Sequence, residues 1–198
     1  MNVAAAAMVL TAFQAAVELI KRRIAVPREL ARKIVHIGSG VLSAPLAYIL
    51  SDGEIVVLAS AFVLGMAVSR RAQLLTAVHD VDRESYGELL FPLGVAILAG
   101  LHPEPWEFAY ALLVLAFADG AAALAGMRFG RRKLPVGSKS IVGSLTFFAV
   151  AFAVGLFFAP LGVCLLVALA ATIAESLLTR GFDNLVLPVL AGVLIGIS

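Results

Sequence analysis

The sequence predicts an all-α, polytopic integral membrane bundle of seven to eight helices, and three observations carry that expectation. Of 198 residues, 62% are hydrophobic and 14% charged, where soluble domains run at roughly 45–50% and about 25%. With a mean hydropathy of +1.03, a soluble fold of this length would lack the polar sequence to cover its own surface. The apolar residues also gather into runs near the ~20 residues that a ~30 Å hydrocarbon core asks of a helix. Finally, the basic residues fall only in alternate joints between those runs.

The runs follow in order. Segment 2–20 comes first; its basic cluster Lys21-Arg22-Arg23 follows the apolar stretch, the reverse of a cleaved signal peptide, so an uncleaved first span is expected. Segments 34–50, 55–69, 87–101, 106–127, 141–159, 161–178 and 185–198 follow. Residues 141–178 hold one charge, Glu175, and are too long for one crossing; Pro160 and Gly162 supply the break. Segment 87–101 would rise only ~22 Å and carries Pro92 and Gly94, and segment 185–198 is also short and carries Pro188. Either could be re-entrant. All 15 Lys and Arg residues lie in the first, third, fifth and seventh joints. The positive-inside rule makes that side the cytoplasm and puts the N-terminus outside. No repeat or linker divides residues 1–198, so one domain is expected.

The composition also excludes functions. Cys164, alone, forms no intrachain disulfide. No ordered basic groove suits a nucleic acid. Nothing in the chain calls for a homo-oligomer or forbids one.

The odd joints hold nearly all the polar sequence, so an active site is expected on the cytoplasmic face. Asp119 lies about two turns inside the fifth run, where a carboxylate is costly unless paired, metal-bound or hydrated. A structural salt bridge to an arginine is the plainer alternative. Ala123 and Gly126 share its helix face, admitting a ligand or merely a packed helix. Arg128, Arg131, Arg132 and Lys133 then leave the apolar run together, a topology signal or an anion site. Gly137-Ser138-Lys139-Ser140 opens the next helix with free amides, hydroxyls and a lysine, which suit a polyphosphate. This is not a Walker A loop. Arg32, Lys33 and His36 form a polar ridge on the second run; Arg83-Glu-Ser-Tyr86-Gly87 precedes the proline-broken fourth. Glu175 is a buried acid, and Asp183-Asn184 caps the last helix or binds metal.

Six elements in order resemble the polyprenol kinase family of dolichol, phytol and CTP-dependent diacylglycerol kinases. They are Arg32-Lys33-Ile-Val-His36, Arg83-Glu-Ser-Tyr86-Gly87 with Phe91-Pro92, Asp119-Gly120, Gly126-Met-Arg128-Phe-Gly130, Lys139-Ser140 with Gly143-Ser144, and Glu175-Ser176 followed by Asp183-Asn184-Leu185 and Pro188. The acidic pair usual in the family before the Asn is Phe182-Asp183 here, and no proline follows Glu175-Ser176-Leu177. The resemblance implies transfer of the γ-phosphate of CTP, with Mg²⁺ or another divalent cation, to a lipid hydroxyl. It makes Asp119, Glu175 and Asp183 the metal ligands. It gives Gly126, Arg128, Arg131, Lys133, Lys139, Ser140, Gly143, Ser144 and Tyr86 to the nucleotide. Asp119, Arg83, Lys33 and His36 are then the catalytic set.

Rival readings stay open. Residues 126–143 also resemble the signature of CDP-diacylglycerol synthase cytidylyltransferases, though their C-terminal Gly-His-Gly-Gly run is absent. CDP-alcohol phosphotransferases need an acid where Ala116 stands. A transporter would place polar residues at depth in both membrane halves, and the outer half here is apolar.

Overall fold

The computed structural model describes residues 2–24, 26–79, 85–135 and 139–197. Arg83, with Asp80, Asp82 and Glu84, and Gly137 with Ser138 lie outside them. The described residues are helical throughout, joined by short turns, with no named strand among them. In chain order the helices are α1 (Val3–Arg23), α2 (Arg28–Ser43), α3 (Asp52–Ala72), α4 (Thr76–His79), α5 (Gly87–Gly100), α6 (Pro105–Val114), α7 (Gly120–Phe129), α8 (Ile141–Gly155), α9 (Leu161–Leu177) and α10 (Asp183–Gly196). A 3₁₀ turn, Ala44–Tyr48, extends α2, and a π-turn, Leu115–Asp119, joins α6 to α7 into one rod. Each of the eight expected apolar segments is therefore a helical rod. Three rods, Val3–Arg23, Asp52–Ala72 and Pro105–Phe129, have the length and hydropathy to cross a membrane; α5, α8, α9 and α10 are apolar but shorter.

Local chemistry sets where the helices begin. Asn2 caps α1 by accepting from Ala5 N at 2.9 Å. Ser51 and Glu54 form a capping box at α3, and Pro105 sits in the first turn of α6, where its missing N–H costs nothing. Lys21, Arg22 and Arg23 close α1 and Arg70 and Arg71 close α3, where a cation suits the helix dipole. The second helix starts at Arg28, earlier than the apolar run at 34, because Lys33 and His36 are buried against another helix rather than bathed in solvent.

The α6 rod is the centre of the bundle. Phe108, Tyr110, Leu112, Val114 and Leu115 are fully buried, while α2, α5, α8 and α10 pack round it. Burial then falls off outward. Val57, Leu64, Leu145, Leu166 and Phe157 are exposed, an apolar exterior that suits lipid rather than water. α5 and α10 carry Pro92 and Pro188 inside the helix. Pro188 cannot donate to the carbonyl four residues back, that of Asn184. That oxygen lies where α5 packs closest: a Cβ on Gly94 would stand 2.6 Å from it. Glycine is what lets the two proline-bearing helices meet.

One end of the bundle gathers the charge. Glu18 near the end of α1 accepts from Ala77 N at 2.6 Å and Thr76 Oγ1 at 2.9 Å, tying α4 to the end of α1. At the other end His102 Nδ1 meets Asp52 Oδ2 at 2.8 Å, near Glu54, Glu104 and Glu107, with no described lysine or arginine.

Candidate active site

Asp119 is the first side chain to place. The π-turn that ends at Asp119 turns its carboxylate toward α2, where Lys33 Nζ donates to Oδ2 and His36 Nε2 lies 3.2 Å from the same oxygen. All three are buried. His36 Nε2 is also 3.3 Å from Leu115 O, a carbonyl of that turn. Both neighbours are acceptors, so Nε2 carries the hydrogen and Nδ1 is left as the ring's other nitrogen. The salt bridge considered for Asp119 thus exists, with a lysine as its partner. A bare buried ion pair is weak evidence for stability, since desolvation cancels much of the attraction. A π-turn at a carboxylate between two basic side chains is the kind of irregularity that marks functional sites.

A second cluster faces it. Lys139 Nζ lies 2.6 Å from Glu175 Oε1 and 3.2 Å from Asp183 Oδ2, and Ser144 Oγ donates to Glu175 Oε2 at 3.4 Å. Burial alone would lower the Lys139 ammonium's pKa, but the carboxylates of Asp183, Asp119 and Glu175 outweigh it and hold it above the ordinary lysine value. The loop ends before α8 are clipped together: Leu134 N donates to Lys139 O and Ile141 N to Arg132 O. That pairing sets Lys133 beside Ser140. Ser140 caps α8 through Gly143 N at 3.0 Å, and Gly126 packs against it: a Cβ there would meet Ser140 Oγ at 3.0 Å.

Between the clusters lies a polar cavity of about 280 Å³. Asp119, Ala123 and Gly126 line it, so their shared face exists, and Lys33, Lys133, Lys139, Ser140, Gly143, Glu175 and Asp183 line it too. The first residues of α8 and α10 and Ser85, just before α5, reach the same wall. Three helix starts therefore bring the partial positive charge of their dipoles to one space, which favours an anion. Only the α8 terminus was legible as such in the sequence. Tyr86, Arg128 and Arg131 are exposed and do not line this cavity; Tyr86 lies under the Arg70 guanidinium at 5.0 Å and Arg128 over Phe129 at 5.5 Å.

Among the described residues no three His, Cys, Asp or Glu side chains gather into a protein-only metal site. Two carboxylates, Glu175 and Asp183, do converge on Lys139. Mg²⁺ usually takes one or two protein carboxylates, completing its shell with phosphate oxygens and water. The donor set fits a cation that arrives with a phosphate ligand.

A second, apolar cavity of about 80 Å³ adjoins the first, sharing Arg32 and Asn184 in its lining. It runs between α1, α2, α3 and α5, from His36, Gly87 and Asn184 to Leu46 and Ile55. Arg32, His36, Ser39 and Ser43 form its α2 wall. Their spacing of four, three and four places all of them on one helix face, a signal present in the sequence beyond the ridge read there. Asn184, read with Asp183 as a helix cap or a metal site, makes no side-chain cap; it is 4% exposed, and its Oδ1 has no hydrogen-bond partner among the described residues.

A phytol kinase from Synechocystis sp. is 36% identical to this chain over 197 residues, an alignment covering 92% of the chain and 82% of the relative. No family model and no solved structure matches the chain.

Proposed function

The chain belongs to the polyprenol and phytol kinase family, which makes it a kinase acting on a lipid alcohol, and from that premise we propose that its donor is CTP. The triphosphate binds in the polar cavity together with Mg²⁺. The γ-phosphoryl group passes to the hydroxyl of a polyprenol-, phytol- or diacylglycerol-type lipid. The observation that supports this reading is the convergence of Lys33, Lys133, Lys139 and three helix N-termini on one cavity that adjoins an apolar one. The bundle crosses the bilayer seven or eight times, with this cavity on the cytoplasmic side.

In the transfer a bond forms between the acceptor oxygen and the γ-phosphorus. The bond from that phosphorus to the β,γ-bridging oxygen breaks, and CDP leaves with the electron pair. The hydroxyl proton goes to His36 Nδ1, the nitrogen left free when Nε2 faces Asp119 and Leu115 O. Asp119 fixes that tautomer and supports the charge the ring acquires. Lys33 stands beside the same carboxylate and offsets negative charge on the transferring group, the role also proposed for Arg83. Such transfer asks the protein mainly for positioning and charge neutralisation. Lys133, Lys139 and the capped Ser140–Gly143 turn cradle phosphates, with Ser144 holding Glu175 in place; Arg128, Arg131 and Tyr86 belong to the outer approach. Glu175 and Asp183, and less directly Asp119, are the carboxylates that would hold Mg²⁺, which would supply charge neutralisation at the phosphate oxygens.

Lys133→Gln and Lys139→Gln test the cradle. Each removes a charge-assisted contact, so the KM for CTP rises about tenfold or more while the KM for the alcohol stays within about twofold. An equal rise in both constants, or in neither, contradicts the assignment.

A further inference from the structure

We propose that the apolar cavity beside the site is the bed of the acceptor's hydrocarbon chain, holding a single chain and limiting its length. The inference rests on the reading above for the identity of the hydroxyl. The position of the chain rests on the cavity itself.

Three observations carry it. The cavity adjoins the polar one across Arg32 and Asn184, which line both, so a chain within it ends beside His36, the neighbour of Asp119. The facing wall is apolar: Leu58, Ala59, Phe62 and Met66 from α3, Phe91 and Val95 from α5. From Arg32 to Ser43 the α2 wall is about 16 Å long, half of a ~30 Å hydrocarbon core. A chain lying along it descends from the basic end toward mid-bilayer, as a membrane alcohol must when its hydroxyl reaches a cation-rich rim. The third observation is polar. Asn184 Oδ1 and Ser39 Oγ are buried and without a hydrogen-bond partner, and both residues line this cavity. A buried acceptor costs free energy until something donates to it. A substrate hydroxyl at the rim supplies that donor to Asn184 Oδ1, which orients the oxygen's remaining lone pair for attack. Asn184 is thus a positioning residue for the acceptor. Its side chain is braced by α5: a Cβ on Gly87 would come within 2.5 Å of Asn184 Nδ2. The cavity is narrow, about 80 Å³ against about 280 Å³ for its polar neighbour, so it takes at most one chain, and the two tails of a diacylglycerol cannot both enter.

Ala59→Phe fills the middle of the cavity and Phe62→Ala widens it; neither residue touches the polar site. The purified protein in detergent would be assayed with isoprenoid alcohols of two, three and four isoprene units and with diacylglycerol. Ala59→Phe should cut kcat/KM for the longest alcohol by about tenfold or more, the loss of a few buried methylenes. The shortest alcohol should change by less than about twofold, and the KM for CTP should not move. Phe62→Ala should shift preference toward longer chains. Losses that ignore chain length, or diacylglycerol turning over as fast as the single-chain alcohols, would overturn the proposal. A diazirine-tagged four-unit alcohol, cross-linked to the wild type and mapped by mass spectrometry, gives a readout independent of turnover. Labels on Leu58, Ala59, Phe62, Met66, Phe91 or Val95 of the inner wall support the chain bed; labels confined to the outer face at Val57, Leu64 and Val68 refute it. Inner-wall labelling without phosphorylation would sink the kinase reading and leave the chain site standing.

Discussion

Asp119 sits between Lys33 and His36 with almost no solvent near any of them. Its depth in an apolar run was legible in the sequence, because a carboxylate there demands a partner. The partner was not, since Lys33 is 86 positions away and spacing resolves neighbours only within one element. Asp119→Asn keeps the shape and removes the charge; turnover should fall by more than about tenfold. Lys33→Met leaves the buried carboxylate alone and should cost ~3–5 kcal/mol of stability. The double variant Lys33→Met/Asp119→Asn, with no stranded charge, should melt close to the wild type and remain inactive. Thermal unfolding in detergent beside a rate assay checks all three. Activity above a tenth of wild type in Asp119→Asn would make the residue structural.

At the scale of the element, helix N-termini do the organising. Gly181 shows why α5 and α10 can start side by side. Its φ is +91°, and a Cβ there would stand 2.4 Å from Gly87 N. Gly181→Ala should therefore cost ~1–3 kcal/mol and lower turnover, because it separates Asn184 from α5. Gly65→Ala, with open space where its Cβ would go, should leave stability and rate unchanged or slightly raised. Equal melting shifts in the two variants would refute this account. Helix existence was legible from the apolar runs, and the start of α8 from the Lys139-Ser140 segment that opens it. The π-turn was not, because 115–119 reads as ordinary helix and the irregularity follows from packing against α2. Nor did the cavities show, since each is built from faces of several helices and a single sequence displays one face at a time.

Across the whole molecule, charge is split end to end: the basic ends of α1 and α3 and the basic start of α2 share the end where α2 lines the polar cavity, and the far end holds acids and His102. That asymmetry was the most legible feature of the chain, because the positive-inside rule depends on counting and not on contacts. Single cysteines at Asp52 and Arg131 in a Cys164→Ser background should label from opposite faces of intact cells, with Arg131 shielded from an impermeant reagent. Labelling of both from outside would overturn the proposed topology. The central claim is the reaction itself, and the position of a label in CTP tests it most directly. A cytidylyltransferase could use the same cradle, but it moves CMP and releases pyrophosphate, whereas a kinase moves the γ-phosphoryl group and releases CDP. Purified protein would receive CTP labelled at the α or the γ phosphorus, with polyprenol, phytol or diacylglycerol as acceptor and, separately, phosphatidate. The account predicts γ label in the organic phase with an alcohol and no α label in any lipid; α label in lipid with phosphatidate, or no label in lipid from either position, would contradict it.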